Sequence, residues 1–368
     1  MDRSEHVYRT WLASLNLPYE TLSDLMDQWK SAGALYKAVR EHPEKTEIQE
    51  KLLQQMRRKA NDRSLDDFQA QIEQLGITTL ALMDEAYPEK LRNIADPPVI
   101  LFAKGNLNCL QRHTVAMVGS RAASYDGIRA TRQIAKAMSQ AGVVIISGLA
   151  YGIDTASHEG CLEGESPTVA VMGCGLDQTY PEGNAKLRAR ILERDGLLLS
   201  EYAPGEKPLG WHFPIRNRII SGLSEAVILM EAKIQSGSMR TVQHALEQGR
   251  EVFVYPGDPA SPHSEGNHQL LREGATYFTR AEDILEDMNW LDNRNNVGQN
   301  NPCSMLETFT TAEEKAVAKA LLPGARSFDQ LVDMTGLAPQ TLMVTLTILQ
   351  IRGAIEPLPG KAYRLKGQ

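Results

Sequence analysis

From residue 114 onward the chain alternates short, continuously apolar runs with stretches of helical length, and this alternation constrains the fold more than any other feature. The runs are Val115–Val118, Val143–Ile146, Thr168–Met172, Leu197–Leu199, Val227–Met230 and Glu251–Tyr255, and Tyr125–Gln140 and Gly183–Arg194 are among the helical stretches between them. A half-buried strand switches between apolar and polar residues. These runs do not, so each is expected to be covered on both faces. Strand–helix alternation of this kind requires right-handed crossovers and gives an α/β fold on an open, mostly parallel sheet.

The flanks follow other rules. Residues 1 to about 85 place apolar side chains at helical spacing, as in Val7, Trp11, Leu12 and Leu15 and again in Leu22, Leu25, Met26 and Trp29. Pro88, Pro97 and Pro98 interrupt that pattern, and Val99–Ala103 follows as a short strand. Residues 291–304 are rich in Asn with Gly and Pro and read as a flexible linker. Three short helical stretches come next, near 311–321, 327–335 and 339–352, then a turn at Gly353 and a hairpin-like tail over 354–365. That order is a winged-helix pattern. The expected division is a helical module at 1–87, a central domain at 88–290, a linker at 291–307 and a winged helix at 308–368.

With 42% hydrophobic and 23% charged residues in 368, the chain can build real cores, which excludes a disordered or collagen-like protein. No run approaches the roughly 20 apolar residues of a membrane helix, and the N-terminus shows no secretory pattern. Cys109, Cys161, Cys174 and Cys303 are scattered without a C-x-x-C pair, which fits reduced thiols and a cytoplasmic protein. The net charge of −7 argues against coating nucleic acid by bulk attraction. A polyanion site must therefore be built locally.

In an open α/β sheet, ligands bind outside the carboxyl ends of the strands. Five strand ends here are rich in small or polar residues: Gly119-Ser120-Arg121; Ser147-Gly148 with Gly152 and Asp154; Gly173 and Gly175 with Asp177; Ser200-Glu201-Tyr202; and Ser236-Gly237-Ser238 with Arg240 and Thr241. Glycine lets a ligand approach the backbone, and the free amides of a helix start attract anions. Neither Gly119-Ser120-Arg121 nor Gly173-Cys174-Gly175 completes the G-x-G-x-x-G dinucleotide fingerprint, so no cofactor is expected. Arg121 puts a guanidinium at an anion-ready helix start, which suits a phosphate. Between residues 207 and 218, Lys207, Arg216 and Arg218 interleave with Trp211, His212 and Phe213, beside Asn217. Cations for phosphates beside flat rings for bases are what a single-stranded nucleic acid needs. Within this stretch Trp211 reads as a packing residue, and an arginine has the alternative role of pairing with an internal acid such as Glu231.

A catalytic set is not visible. There is no G-x-S-x-G elbow, Walker A loop or H-E-x-x-H motif. Asp154 and His158 are four apart and share a helix face, but no nucleophile accompanies them, and His158 reads as a structural histidine. His263 and His268, with Glu265 between, are a weak metal candidate, and no metal is expected. The stretch Gly237–Thr241 slightly resembles phosphate-binding loops of nucleotide-processing α/β enzymes. The enzymatic alternative is thus a nucleotide or nucleoside phosphate hydrolase using Asp154 and Glu201. A nucleotide-sensing regulatory protein is a third reading.

The chain closely resembles the DNA processing protein A (DprA/Smf) family of bacterial natural transformation. The matching stretches are VAMVGSRAASYDG at 115–127, ISGLAYGIDTASHEG at 146–160, VMGCGLDQTYPEGN at 171–184, LLSEY at 198–202, HFPIRNRIISGLS at 212–224, EAKIQSGSMRTVQHALEQGREVFVYPG at 231–257 and SEGNHQLLREGA at 264–275. The resemblance implies a Rossmann-like central domain, a sterile-alpha-motif-like helical module before it and a winged helix after it. It implies a non-enzymatic protein of competence and DNA uptake that binds and protects single-stranded DNA, helps load the RecA recombinase, and forms a homodimer through the Rossmann-like domain, with no membrane association. The family's phosphate-gripping arginine falls on Arg121, its lysine on Lys207, the F-P-x-R-N-R arginines on Arg216 and Arg218, and its S-G-S motif on Ser236, Gly237 and Ser238. The third helix of the winged module departs from a DNA reader. It presents Thr, Leu, Met, Val and Ile with Arg352 as its one cation, so protein contacts stand as an alternative to DNA, and the sequence leaves the choice between them open.

Overall fold

Each apolar run expected to be a strand forms one in the computed structural model: β2 (Ile100–Gly105), β3 (Thr114–Val118), β4 (Val144–Ser147), β5 (Thr168–Met172), β6 (Leu197–Ser200), β7 (Ala226–Leu229) and β8 (Glu251–Val254). Two more strands, β1 (Thr78–Ala81) and β9 (Thr276–Tyr277), are too short to carry a readable period. The nine form one sheet in the order β1-β2-β6-β5-β4-β3-β7-β8-β9. All pairs from β6 to β9 are parallel, and β2 runs antiparallel to both β1 and β6. The first strand of the sheet thus lies on the N-terminal side of residue 88, inside the segment read as helical.

Successive residues of each core strand point to opposite layers, and both layers are apolar. Ala116, Val118, Val144, Ile146, Val227 and Leu229 meet Ile219, Ile220 and Val242 of the helices His212–Gly222 and Gly237–Glu247. Val115, Met117, Ile145, Ala226 and Ile228 meet Ile134, Ala135 and Met138 of the helix Tyr125–Gln140. Burial on both faces is the physical reason for the unbroken runs. Each buried Val, Leu, Ile and Met among them contributes about 1.5–3 kcal/mol, so the strand ends stand on a rigid floor.

The structure describes residues 5–15, 17, 19–60, 62–290, 311–321, 326–351, 354–358 and 362–365. They belong to two compact units, Met1–Leu291 and Asp292–Gln368. The linker expected at 291–307, Cys303, Arg352 and the turn at Gly353 lie outside the described residues. Within the first unit the helices Glu5–Ser14, Tyr19–Trp29, Ala32–Glu41, Glu50–Lys59 and Asp62–Leu75 enclose a core of their own around Trp11, Leu35, Tyr36 and Met56. Glu5 accepts from the Ala32 and Gly33 amides at 2.6 and 3.2 Å, which satisfies two of the orphan donors at that helix start. Cys109, Cys161 and Cys174 are free and buried, and burial pushes their thiols up to about 12, 11 and 11, so they stay protonated. Among the described residues no single helix is long and apolar enough to cross a membrane.

In the second unit, the helices Ala312–Leu321, Phe328–Thr335 and Pro339–Ile351 pack on a three-stranded sheet of β10 (Arg326–Ser327), β11 (Ile355–Leu358) and β12 (Ala362–Leu365). Val317, Leu331, Leu342, Leu346 and Leu349 form its core. The third helix leaves Met343, Val344 and Ile348 exposed.

Candidate functional site

The chain leaves β3 for β4, β5 and β6 on one side and returns for β7, β8 and β9 on the other, so the strand order reverses between β3 and β7. A crevice opens outside the carboxyl ends at such a point. Here it is a cleft of about 700 Å³. One wall is Gly119–Ala122 after β3, a second is Gln235–Ser238 with Arg240 and Thr241 after β7, and a third is the helix His212–Gly222, which contributes Phe213, Arg216 and Asn217.

Local bonds fix these walls. Ser124 caps the helix Tyr125–Gln140 by accepting from the Gly127 amide at 3.0 Å. Buried Glu231, just past β7, accepts from the Ser124 amide at 2.8 Å and from its hydroxyl, which ties the two loops together. Ser236 caps the helix Gly237–Glu247, and its hydroxyl lies 2.7 Å from that of Ser238. Asn217 donates to the Gly237 carbonyl at 3.4 Å and so joins the third wall to the second.

The cations divide into two groups. Arg121 is exposed, its guanidinium lies 5.3 Å from the Phe213 ring centroid, and it makes no ion pair among the described residues. Arg240 is likewise exposed and without an acidic partner among the described residues. Arg216 is 3% exposed and donates to the carbonyls of Gly148, at 3.0 Å, and Val171. Burial lowers its pKa, and Asp154 opposes that shift. Arg218 is 4% exposed and does not line the cleft. It forks onto Glu201 through Nη1 to Oε1 at 2.9 Å and Nη2 to Oε2 at 2.8 Å, and its Nε lies 2.8 Å from Asp96 Oδ2. The internal acid that pairs with an arginine is therefore Glu201, not Glu231. Lys207 is exposed but outside the cleft lining, next to Pro208, which belongs to it.

Most of the singled-out glycines have a packing reason. A Cβ at Gly119 would fall 2.5 Å from Ile153, at Gly148 2.6 Å from the Arg216 guanidinium, at Gly173 2.9 Å from the Phe213 ring and at Gly175 2.5 Å from the Ala203 carbonyl. They let the loops and the helix His212–Gly222 close on the strand ends. Gly237 differs, with no atom within 4 Å of a Cβ, so open space lies there for a ligand. Ser120 accepts from the Ala122 amide at 3.2 Å through its hydroxyl and lines the cleft. Ser147 is fully buried and donates to the Met117 carbonyl at 2.7 Å, away from the cleft.

Trp211, expected to pack inside, is 60% exposed. It precedes the helix His212–Gly222, and His212 instead takes the interior place, stacked on Tyr202 with centroids 3.8 Å apart. Asp154 accepts from the Gly148 and Ala150 amides at 3.2 and 3.3 Å, and burial raises its pKa while Arg216 opposes the rise. His158 is fully buried beside Thr168 Oγ1 at 2.8 Å. That hydroxyl donates to the Ile145 carbonyl at 2.7 Å, so it accepts from His158 Nδ1–H, and Nε2 is left unprotonated and without a partner among the described residues. Burial, with a smaller contribution from Arg216, pushes this imidazole down to about 3. Asp154 faces the cleft and Glu201 does not, so the two acids of a hydrolase do not meet in it. His268 is held by the Pro256 carbonyl at 2.9 Å, and among the described residues no three His, Cys, Asp or Glu side chains are grouped to hold a metal ion. Arg240, expected at the strand end after β7, lines the cleft, and so does Tyr180, which was not among the expected site residues although it stands inside the 171–184 motif.

The fold and the cleft define a Rossmann-like protein with an open groove that carries arginines, without an acidic partner among the described residues, beside an aromatic ring. The chain belongs to the family described as DNA recombination-mediator protein A, whose model matches residues 78–289, and the DprA winged helix domain matches residues 305–361. It is similar to DNA processing protein DprA of Streptococcus pneumoniae, at 45% identity over 223 residues, 61% of this chain and 78% of that one. Protein Smf of Escherichia coli is 38% identical over 293 residues, 77% of this chain and 76% of that one. The crystal structure of the S. pneumoniae protein covers 78% of this chain and 99% of its own, at 36% identity and a TM-score of 0.67. A DNA processing protein A from Helicobacter pylori, described for its unique single-stranded DNA binding mode, covers 58% of this chain and 95% of its own, at 30% identity and a TM-score of 0.52.

Proposed function

We propose that this protein is a single-stranded DNA-binding recombination mediator of natural transformation, acting in the cytoplasm without chemistry of its own. It protects incoming strands and helps load the RecA recombinase onto them, as a homodimer through its Rossmann-like domain. The observation that carries this reading is the pair of unpaired arginines, Arg121 and Arg240, on opposite walls of an open cleft with the Phe213 ring beneath one of them. The single-strand binding described for the H. pylori relative supports it. In this reading Arg121 and the amides around Ser236–Ser238 hold phosphates, Lys207 extends the path past the cleft mouth, and Arg216 braces the floor. The central domain, 88–290 together with β1, carries the strand, with the helical module before it and the winged helix at 308–368 after it in the chain. The winged helix meets proteins through its apolar third helix rather than reading a groove. A hydrolase would need Asp154 and Glu201 in one site, and Glu201 is held elsewhere by Arg218.

The test is a binding isotherm for labelled single strands and duplexes, paired with thermal melting. Single strands are expected to bind more tightly than duplex. Arg121→Ala should lower their affinity about tenfold to a hundredfold, the worth of a charge-assisted contact, at an unchanged melting temperature. Arg121→Lys should also lose affinity, because the planar fork is gone. Equal affinity for duplex, or wild-type binding by Arg121→Ala, refutes the site. RecA assembly on single strands, followed with and without the protein, tests the mediator role.

A further inference from the structure

A side cavity adjoins the cleft, and its lining is aromatic. Tyr151, Tyr180 and Phe213 surround it with Arg121 at its border, and Arg121, Tyr180 and Phe213 are shared with the main cleft. Tyr180 and Phe213 lie with centroids 5.2 Å apart at 35°. Tyr151 is held against the following turn, because a Cβ on Gly183 would fall 2.7 Å from its hydroxyl oxygen. The chain thus brings a ring from the loop after β4 and a ring from the loop after β5 to the same place. Both remain open to solvent, Tyr151 by 51% and Tyr180 by 41%. Two part-exposed rings sharing a slot with an arginine that has no acidic partner among the described residues present a surface that suits a ligand with a flat face. The cavity is shallow, about 40 Å³. It cannot enclose a base, but a base can lie face-on against a tyrosine ring at its mouth.

We infer that Tyr180 and Tyr151 form a base-stacking subsite of the single-strand path, taking one unstacked nucleobase while its phosphate lies on Arg121. This rests on reading the cleft as a single-strand site and deepens it by assigning the base contact. Stacking on a ring face accepts any base, and the slot is too shallow to read base edges, so the subsite is indifferent to sequence.

The probe is an oligodeoxythymidine strand and the same strand with abasic residues in place of its nucleotides, titrated in parallel by fluorescence anisotropy. Tyr180→Leu and Tyr151→Leu are expected to lower affinity for the base-bearing strand about fivefold to a hundredfold each. Both variants should bind the abasic strand as the wild type does. Tyr180→Phe, which keeps the ring, should restore binding. Wild-type affinity of both leucine variants for the base-bearing strand overturns the inference, and so does an equal loss on both strands, which would make the rings structural supports. Arg121→Ala is run beside them. Binding that depends on Arg121 and ignores Tyr180 and Tyr151 removes the subsite alone, whereas binding that ignores Arg121 as well removes the whole cleft.

Discussion

Replacing Arg218 with alanine is expected to destabilise the protein while leaving its strand affinity intact, although Arg218 stands two residues from Arg216 in the most DNA-like stretch of the sequence. The Arg218 side chain is 5% exposed and that of Glu201 15%, and two charge-assisted bonds of 2.9 and 2.8 Å join them. Removing the guanidinium leaves the Glu201 carboxylate buried and unpaired, which costs about 3–5 kcal/mol. Asp96, 51% exposed, recovers water and adds little. In a unit of this size that corresponds to a melting temperature lower by roughly 5–10 °C. The assay is thermal melting by circular dichroism, paired with anisotropy titration of a labelled strand well below both transitions. Affinity should stay within about twofold, since a residue outside the cleft touches no phosphate. Arg218→Met combined with Glu201→Leu should recover most of the loss, because an apolar pair of similar volume often replaces a buried ion pair at no net cost. An unchanged melting temperature with a tenfold loss of affinity would put the guanidinium in the site and refute the reasoning. A double variant less stable than the single one would refute the energetic account.

Arg240→Ala should flatten the log–log salt dependence of single-strand binding by about 0.7, the share of one phosphate contact, and an unchanged slope removes Arg240 from the path. His158 has its pKa pushed down to about 3 from 6.5, so as pH falls below 6.5 the unfolded chain takes up the proton first and stability is lost through that window. Urea unfolding should show about 2 kcal/mol of this loss between pH 7 and pH 5, and His158→Asn should abolish that part; an identical pH profile in the variant contradicts it. Gly152 sits at φ 76° with a Cβ site 2.3 Å from the Ser120 carbonyl, so Gly152→Ala should cost about 2 kcal/mol or more and displace the loop carrying Arg121. Melting and strand affinity should fall together, and a wild-type melting curve would show that the loop accommodates the side chain.

The sheet was legible because burial on both faces leaves a direct mark, as in Thr168–Met172, whose bounds the sequence pattern matches residue for residue. Strand direction leaves none, and nothing in Ile100–Gly105 tells that β2 runs against its neighbours. The position of the cleft was legible from small residues gathered at strand ends. The roles within it were not, because the fate of each arginine is decided by partners far away in the chain. Arg218 is claimed by Glu201 and by Asp96, which is 122 residues off, and Arg216 by the carbonyls of Gly148 and Val171, 68 and 45 residues off. Arg121 escapes such a claim because its loop is anchored through Ser120 and Ser124 instead. Trp211 could not be told from a core residue by type alone, since its neighbour His212 fills the interior place.

On the proposed reading, an acidic protein holds a polyanion because its acids near the strand ends are already committed to partners within the protein. Glu231 is committed to Ser124, Glu201 to Arg218, and Asp154 to two amides beside Arg216. What faces the cleft unopposed is Arg121 and Arg240. At physiological salt, charges beyond about 8 Å are largely screened, so a strand already in the cleft feels those arginines and little of the net charge of −7. A strand still approaching at low salt feels the whole negative field. Salt should therefore act on the two rates unequally. Dissociation should accelerate with salt as phosphate contacts are screened, while association should change little, because screening weakens the distant repulsion and the local attraction together. Stopped-flow binding at several salt concentrations separates the two rates. An association rate that falls steeply with salt, as for a protein steered by a broad basic face, would mean that positive charge extends well beyond this cleft and that the site is larger than its two unpaired arginines.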